Sequence, residues 1–375
     1  MKIRGLVLGV LALAALSSSV YAGAPSISAT YTGETLHVAD GGVDRGTAYL
    51  GNLDVDMEFT WGEGDSMRAY IYLLGNHGDD PGALSGDAQG VSNIAAPRAA
   101  RMYEAWVEGD VFGVNLRGGP YDLNSEFDSI ETAAMFAHAS FGIGSDFSQA
   151  GEMGPSIFPV TGFAIRARKG FEDNYVQVAV LDGVPGDPSD DSDTDFRVSR
   201  HDGALVVSEV GRVSETRKGH YYKVAAGAWQ FADRFENIDG DLERGNQGFY
   251  ILGERELAEW NRFAISGFAR VGIADSSINA FDQYLGAGLV MSGFLDARPE
   301  DRMGIAFAHG RFGEEWRETN GVEQAETAIE WSYELPVAEW LTLQPNVQYI
   351  VNPSGDPALD DAVVAGLRFA ISYAP

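Results

Sequence analysis

Between Tyr49 and Trp61 the chain alternates with period two. Leu53, Val55, Met57, Phe59 and Trp61 are apolar, whereas Asn52, Asp54, Asp56, Glu58 and Thr60 are polar. Successive side chains of a strand point to opposite faces, so this segment meets an apolar medium on one side and water on the other. The same rhythm recurs and predicts sixteen strands, near 27–38, 48–61, 66–75, 101–108, 111–119, 158–169, 174–182, 204–213, 220–231, 247–256, 262–274, 282–292, 302–311, 324–335, 341–351 and 363–373. An even number of half-apolar strands predicts an all-β, transmembrane antiparallel barrel with a wet interior. No Pro/Ser-rich linker divides the chain, so residues 23–375 read as one barrel domain.

The connections sharpen this picture. Gly62–Asp65, Gly109–Asp110, Gly170–Asp173, Ser214–Gly219, Leu257–Asn261 and Pro336–Trp340 read as short turns. Asn76–Ala100, Pro120–Ile157, Asp182–Gly203 and Ala232–Asn246 read as longer pieces. Outer-membrane barrels have short periplasmic turns and longer outer loops. Short turns after even-numbered strands therefore place both chain ends in the periplasm. Trp61, Trp260 and Trp340 lie beside short turns, as an interfacial aromatic girdle would. The alternative for them is the core of a soluble sandwich.

Residues 1–22 carry the marks of an export signal: Lys2 and Arg4, an apolar run over Leu6–Leu16, and Val20-Tyr21-Ala22 as the cleavage site. The apolar run is too short for a membrane span, which needs about 20 residues. The absence of cysteine excludes disulfides and a lipid-modified cysteine. The net charge of −29 argues against nucleic-acid binding, which needs a basic footprint. The last strand carries Gly366, Leu367, Phe369, Ile371 and Tyr373 and resembles the C-terminal signal read by the barrel-assembly machinery, although Ala374 and Pro375 follow.

Strand parity nominates the lumen. Phe112, Val114 and Leu116 facing lipid turn Asn115 and Arg117 inward, and Phe163 and Ile165 facing out turn Arg166 and Arg168 inward. Glu104 and Trp106 also face in. In strand fourteen Ile329, Trp331 and Tyr333 face out against Glu326, Glu330 and Glu334, and strand fifteen sets Thr342, Gln344, Asn346 and Gln348 toward the lumen. Strands six and fourteen are opposed in a sixteen-stranded barrel, so arginines on one wall and glutamates on the other predict a transverse field across the channel. A generic solvated lumen is the alternative. Pro120–Ile157 is outer in topology but carries Phe127, Met135, Phe136, Phe141 and Phe147, too apolar for a solvated loop. It is expected to fold inward and narrow the pore.

Several runs resemble the carbohydrate-selective (OprB-type) porin family: Gly90-Val-Ser-Asn-Ile94, Pro120-Tyr-Asp-Leu-Asn-Ser-Glu-Phe-Asp128, Phe141-Gly-Ile-Gly-Ser-Asp-Phe-Ser-Gln149, Gly154-Pro-Ser-Ile-Phe-Pro-Val-Thr161, Leu181-Asp-Gly-Val-Pro-Gly-Asp-Pro188, Gln344–Pro353 and Asp356–Asp361. The resemblance implies a sixteen-stranded outer-membrane barrel passing small sugars by facilitated diffusion, without energy input. A general diffusion porin is the competing reading. Sugar hydroxyls suit planar charged groups, and sugar faces suit aromatic rings. Arg117, Arg166, Arg168, Glu104, Asp122, Asn124, Glu126 and Glu330 are candidates of the first kind; Trp106, Tyr121 and Phe127 are candidates of the second.

Other chemistry is thin. Asp191-Ser-Asp-Thr-Asp195 starts like a calcium loop, but Phe196 stands where the glycine belongs. The six histidines show no metal-ligand spacing, and no metal or cofactor is expected. His138 and Ser140 are near in sequence, but no Gly-x-Ser-x-Gly elbow is present, so an enzyme is not expected. The partners expected are sugars, outer-membrane lipid and lipopolysaccharide, the assembly machinery and, as an open question, further copies of the chain.

Overall fold

The computed structural model describes residues 24–188, 190, 196, 203–215, 221–238 and 240–374. The candidate export signal, Asp191–Asp195 and part of the Ser214–Gly219 turn lie outside the described residues. Sixteen strands form the wall: β1 Ser26–Gly42, β2 Gly46–Trp61, β3 Met67–Gly78, β4 Ala99–Val111, β5 Val114–Pro120, β6 Phe163–Phe171, β7 Asn174–Asp182, β8 Ala204–Glu215, β9 Tyr221–Glu236, β10 Leu242–Trp260, β11 Phe263–Ala274, β12 Phe281–Ser292, β13 Arg302–Phe312, β14 Ala325–Ala338, β15 Leu341–Val351 and β16 Asp360–Tyr373. Each pairs antiparallel with its sequence neighbours, and β1 closes on β16 with Thr35 opposite Leu367. Closure leaves no unpaired edge, a condition for a sheet to stand in lipid.

Alternation sets the two faces. On β7, Tyr175, Gln177, Ala179 and Leu181 are buried inside, while Val176, Val178 and Val180 are exposed on the outer wall. The same outward apolar sets appear at Phe249 and Ile251, Val271 and Ile273, and Ile305 and Phe307. Exposed Val, Ile and Phe in such numbers fit a wall that faces hydrocarbon. Trp260 stands exposed beside the turn Asn261–Arg262, and Trp340 stands exposed within the turn Glu339–Trp340.

Three boundaries differ from expectation. The turn expected at Gly109–Asp110 lies at Phe112–Gly113, where both residues take positive φ (52° and 76°) and Val111 pairs with Val114. The strand expected to begin near 158 begins at Phe163, because Pro159 cannot supply a ladder N–H. Thr161 instead donates its hydroxyl to the Tyr103 carbonyl. Most of Ala232–Asn246 is a hairpin rather than a loop: β9 and β10 stay paired up to Glu236 and Leu242. Alternation reports hydrocarbon and not pairing, so a paired stretch that lacks it goes unseen in the sequence.

The segment between β5 and β6 folds into the barrel. Leu123, Phe127, Ile130, Met135, Phe136, Phe141 and Phe147 are buried, and they form one core with inward wall residues such as Trp229, Tyr250, Phe268 and Tyr284. Phe147 stacks on Trp229 with centroids 4.9 Å apart, and Phe136 and Phe141 lean on Phe268. The helical turn α1, Ser145–Ser148, packs against β11 and β12. Burial of each such side chain favours docking by about 1.5–3 kcal/mol.

Candidate functional site

A chain inside a barrel still carries backbone N–H and C=O groups that need partners. The wall supplies them as carboxylates. Proceeding along the loop, Glu104 of β4 accepts from Asp122 N (3.2 Å). Glu209 of β8 accepts from Asp128 N (3.0 Å). Glu254 of β10 accepts from Glu131 N and Thr132 N (3.1 and 2.7 Å). Glu330 of β14 accepts from Ala137 N and His138 N, both at 2.8 Å. A second inward piece, before β4, is held likewise: Glu326 accepts from Ala88 N and Gln89 N (2.7 and 3.0 Å). Carbonyls are met by amides, with Gln344 Nε2 donating to Met135 O and Gln348 Nε2 to Val91 O. One carboxylate has two oxygens and serves two N–H groups, which suits a chain crossing strands at an angle.

The strongest tie is buried. Arg270 of β11 donates from Nε and Nη2 to Asp128 (2.8 and 2.6 Å) and from Nη1 to Asp146 (2.5 Å). All three side chains are sealed from solvent, and Arg270 also lies 4.9 Å over the Tyr284 ring.

These ties overturn the transverse field. Glu326 and Glu330 are fully buried against the inward segments, and Glu334 is paired with Arg302 at 2.7 Å. Glu330 is therefore a support for the loop and not channel wall. Phe127 is also fully buried in the loop's own core and offers no face for stacking. Gln344, Asn346 and Gln348 are likewise covered. Parity had them pointing inward, but it carries no information on what fills the inside.

The remaining candidates gather on one stretch of wall. Arg68, Glu108, Asp110, Asn115, Arg117, Glu126, Arg166 and Arg168 line a cavity of about 350 Å³. Gly113 and Gly170, at the β4–β5 and β6–β7 turns, place it toward the short-turn end. Arg166 grips Glu126 through Nε and Nη2 (2.8 and 2.9 Å), reaches Glu108 at 3.2 Å and donates to Asn115 Oδ1 at 2.5 Å. Arg117 and Arg68 meet the same Glu108 at 2.7 and 2.5 Å. Arg168 lies 4.5 Å over Tyr175 and donates to Gln177. Arg68, Arg117 and Arg166 thus converge on Glu108, with Glu126 beside them, and the lining sets four arginines against the three carboxylates Glu108, Asp110 and Glu126.

Behind this ladder sits an aromatic stack. Arg117 lies 3.8 Å over the Trp106 ring, and Tyr70 stacks on Trp106 with centroids 5.1 Å apart. Trp106 Nε1 donates to Glu104 at 2.9 Å. Tyr121, fully buried, donates to Glu126 at 3.1 Å. Asp122 and Asn124 shape the start of the loop: Asn124 N donates to Asp122 Oδ1, and Asn124 Nδ2 reaches the Phe127 and Asp128 carbonyls. Burial pushes the Asp122 carboxyl up to about 6, against the backbone N–H bonds that favour its ionised form.

Sequence reasoning missed Arg68, Glu108 and Asp110 at the cavity, and the buried set of Arg270 with the loop's Asp128 and Asp146. Glu108 carried a usable signal, because it shares parity with Glu104 and Trp106. Arg270 shares parity with inward Phe268, but its partners lie more than 120 residues away and only folding joins them.

A closed sixteen-stranded barrel with an apolar outer wall, a loop docked inside and a polar residual lumen is the architecture of an outer-membrane diffusion channel rather than of an enzyme. Residues 44–373 match the carbohydrate-selective porin, OprB family, and the chain belongs to it. Porin B of Pseudomonas aeruginosa is 26% identical over 314 residues, covering 72% of this chain and 67% of the relative. The high-pH structure of Pseudomonas putida OprB superposes with a TM-score of 0.83 at 19% identity, covering 93% of this chain and 94% of that one. The low-pH structure of the same protein gives 0.58 at 16% identity, with 93% and 92% covered. At those identities the two structures speak for the fold. The protein is an outer-membrane porin of this family.

Proposed function

We propose that small sugars enter the periplasm through this barrel by facilitated diffusion, and that the cavity of Arg68, Arg117, Arg166 and Arg168 is where they are selected. The arrangement of donors carries this reading. The partly exposed guanidinium groups of Arg68 and Arg168 offer planar pairs of N–H donors to vicinal hydroxyls, Glu108 and Glu126 accept in return, and the buried Arg166 fixes those carboxylates. Because Glu108 and Glu126 also hold the arginines in place, a passing sugar meets preformed geometry and induces no rearrangement. Trp106, covered by Arg117, acts by aiming that guanidinium and not by stacking on sugar. Glu104, Asp122 and Asn124 act through the loop's entry into the lumen. Binding must remain weak for flux to be fast, which fits donors already engaged with carboxylates.

The solute leaves unaltered, and no cofactor takes part. Residues 1–22 direct export, β16 addresses the chain to the assembly machinery, and the outer loops meet lipopolysaccharide. The test is single-channel conductance of the purified barrel in planar bilayers, titrated with glucose, maltose and an amino acid of matched size. Sugar-dependent block that is lost in Arg166→Ala supports the proposal. Equal block by all three solutes would make the protein a general pore.

A further inference from the structure

The outer wall is not evenly filled. Six residues paired directly across consecutive strands, Val224, Gly253, Ala269, Ala287, Phe307 and Ile329, form one row from β9 to β14. Its second, third and fourth positions are a glycine and two alanines, flanked by large apolar side chains, so the wall sinks into a trough of about 1060 Å³. Leu257 and Leu289 close its lower side over Gly267, where an added Cβ would meet them at 2.8 and 3.0 Å. Six strands make the trough about 24 Å long.

The trough is also inclined. Val224 is the fourth residue of β9, counted from the short-turn end, whereas Ile329 is the fifth of β14, counted from the loop end. The groove therefore rises from the periplasmic leaflet at β9 toward the outer leaflet at β14. At its low end stands Arg255 of β10, paired with Tyr222 on one side and Gly267 on the other. Arg255 is exposed on the lipid-facing wall, and among the described residues its hydrogen bond is from Nε to the Glu256 carbonyl at 3.4 Å. Nearby Arg212 and Arg262, by contrast, are paired with Asp173 and Asp296. Among the described residues no carboxylate pairs with Arg255. A lone guanidinium in contact with lipid is costly and calls for an anionic partner.

The geometry points to a phospholipid of the periplasmic leaflet as that partner, its phosphate on Arg255 and one acyl chain lying in the trough. The charge selects the phosphodiester, the apolar sides select a hydrocarbon tail, and the incline leads the tail from headgroup level toward the membrane centre. Tyr222 beside Arg255 is placed as an interfacial aromatic anchor. This site is on the opposite face of the wall from the lumen and does not depend on which solute the channel passes.

The test is native mass spectrometry of the full barrel in mild detergent, titrated with dioleoylphosphatidylglycerol or with dioleoylglycerol, which lacks the phosphate. One saturable phosphatidylglycerol adduct is expected. Arg255→Gln should weaken it about tenfold, the loss of one charge-assisted contact, to the level of dioleoylglycerol on the unaltered protein. Ala269→Phe, which fills the trough, should abolish it, while Val180→Phe on another part of the wall should not. Unchanged conductance certifies that each variant is folded, and if Ala269→Phe fails to fold, Arg255→Gln alone decides. Equal adducts in the unaltered protein and Arg255→Gln would overturn the inference. So would a second copy of the chain cross-linking through Ala269→Cys, because the trough would then be a subunit contact.

Discussion

Arg270→Gln is the most searching perturbation of the docked loop. The substitution removes three short bonds, two to Asp128 and one to Asp146, and leaves two buried carboxylates facing one another without a cation. Removing one partner of a buried pair costs about 3–5 kcal/mol, mainly because the remaining charge is uncompensated. The aromatic packing of Phe136, Phe141 and Phe147 and the carboxylate ties of Glu209, Glu254 and Glu330 are untouched. The loop should therefore remain docked on average but open locally more often, by a factor of about 10² to several times 10³ at 1.4 kcal/mol per decade. Hydrogen exchange read at the Asp128 amide and over Ser145–Ser148 measures that opening directly, and bilayer recordings should show added conductance noise. A triple variant that also carries Asp128→Asn and Asp146→Asn removes the stranded charges and should recover most of the protection. Exchange unchanged within about twofold in Arg270→Gln would refute the role of the triad. A triple variant as loose as the single one would refute the argument from uncompensated charge.

Three further outcomes follow from the same structure. Glu330→Gln keeps an acceptor but presents an amide N–H toward the Ala137 and His138 N–H groups, so the midpoint of thermal unfolding should fall by an amount corresponding to about 1–3 kcal/mol; an unchanged midpoint would show that the bonds carry nothing. Trp106→Leu frees the Arg117 guanidinium from its 3.8 Å seat and should weaken sugar block several-fold while leaving the single-channel conductance in salt nearly unaltered; equal sugar block would exclude an aiming role. Asp122 is raised to about 6, so its neutral form is the one favoured by folding, and the loop's docking should lose stability as pH rises through 6 and be firmer at pH 5 than at pH 7. Asp122→Asn should flatten that dependence in unfolding midpoints taken across the range, and a slope of the opposite sign would count against the assignment.

The barrel itself could be read from the chain because its cause is local. Each wall residue on β7 or β15 meets either hydrocarbon or the interior, and strict alternation of Val176, Val178 and Val180 with Tyr175, Gln177 and Ala179 records that choice directly. The inward path of the loop was legible for the same reason, since Phe136, Phe141 and Phe147 have no place in water. Where the alternation stops, as in the extended β9–β10 hairpin, the record fades although the pairing continues.

What the interior groups do was not legible. Alternation aimed Arg168 and Glu330 at the same lumen, yet Arg168 borders the open cavity while Glu330 disappears beneath the loop. That difference depends on where residues 121–162 lie across the wall, a contact set between segments 193 and 209 positions apart. The chain alone determined the strands, their number, their sense and the face of each side chain, because lipid imposes those one residue at a time. Only the tertiary structure decided which inward charges meet solvent and which hold the loop, because desolvation and hydrogen bonding depend on neighbours that folding alone brings within reach.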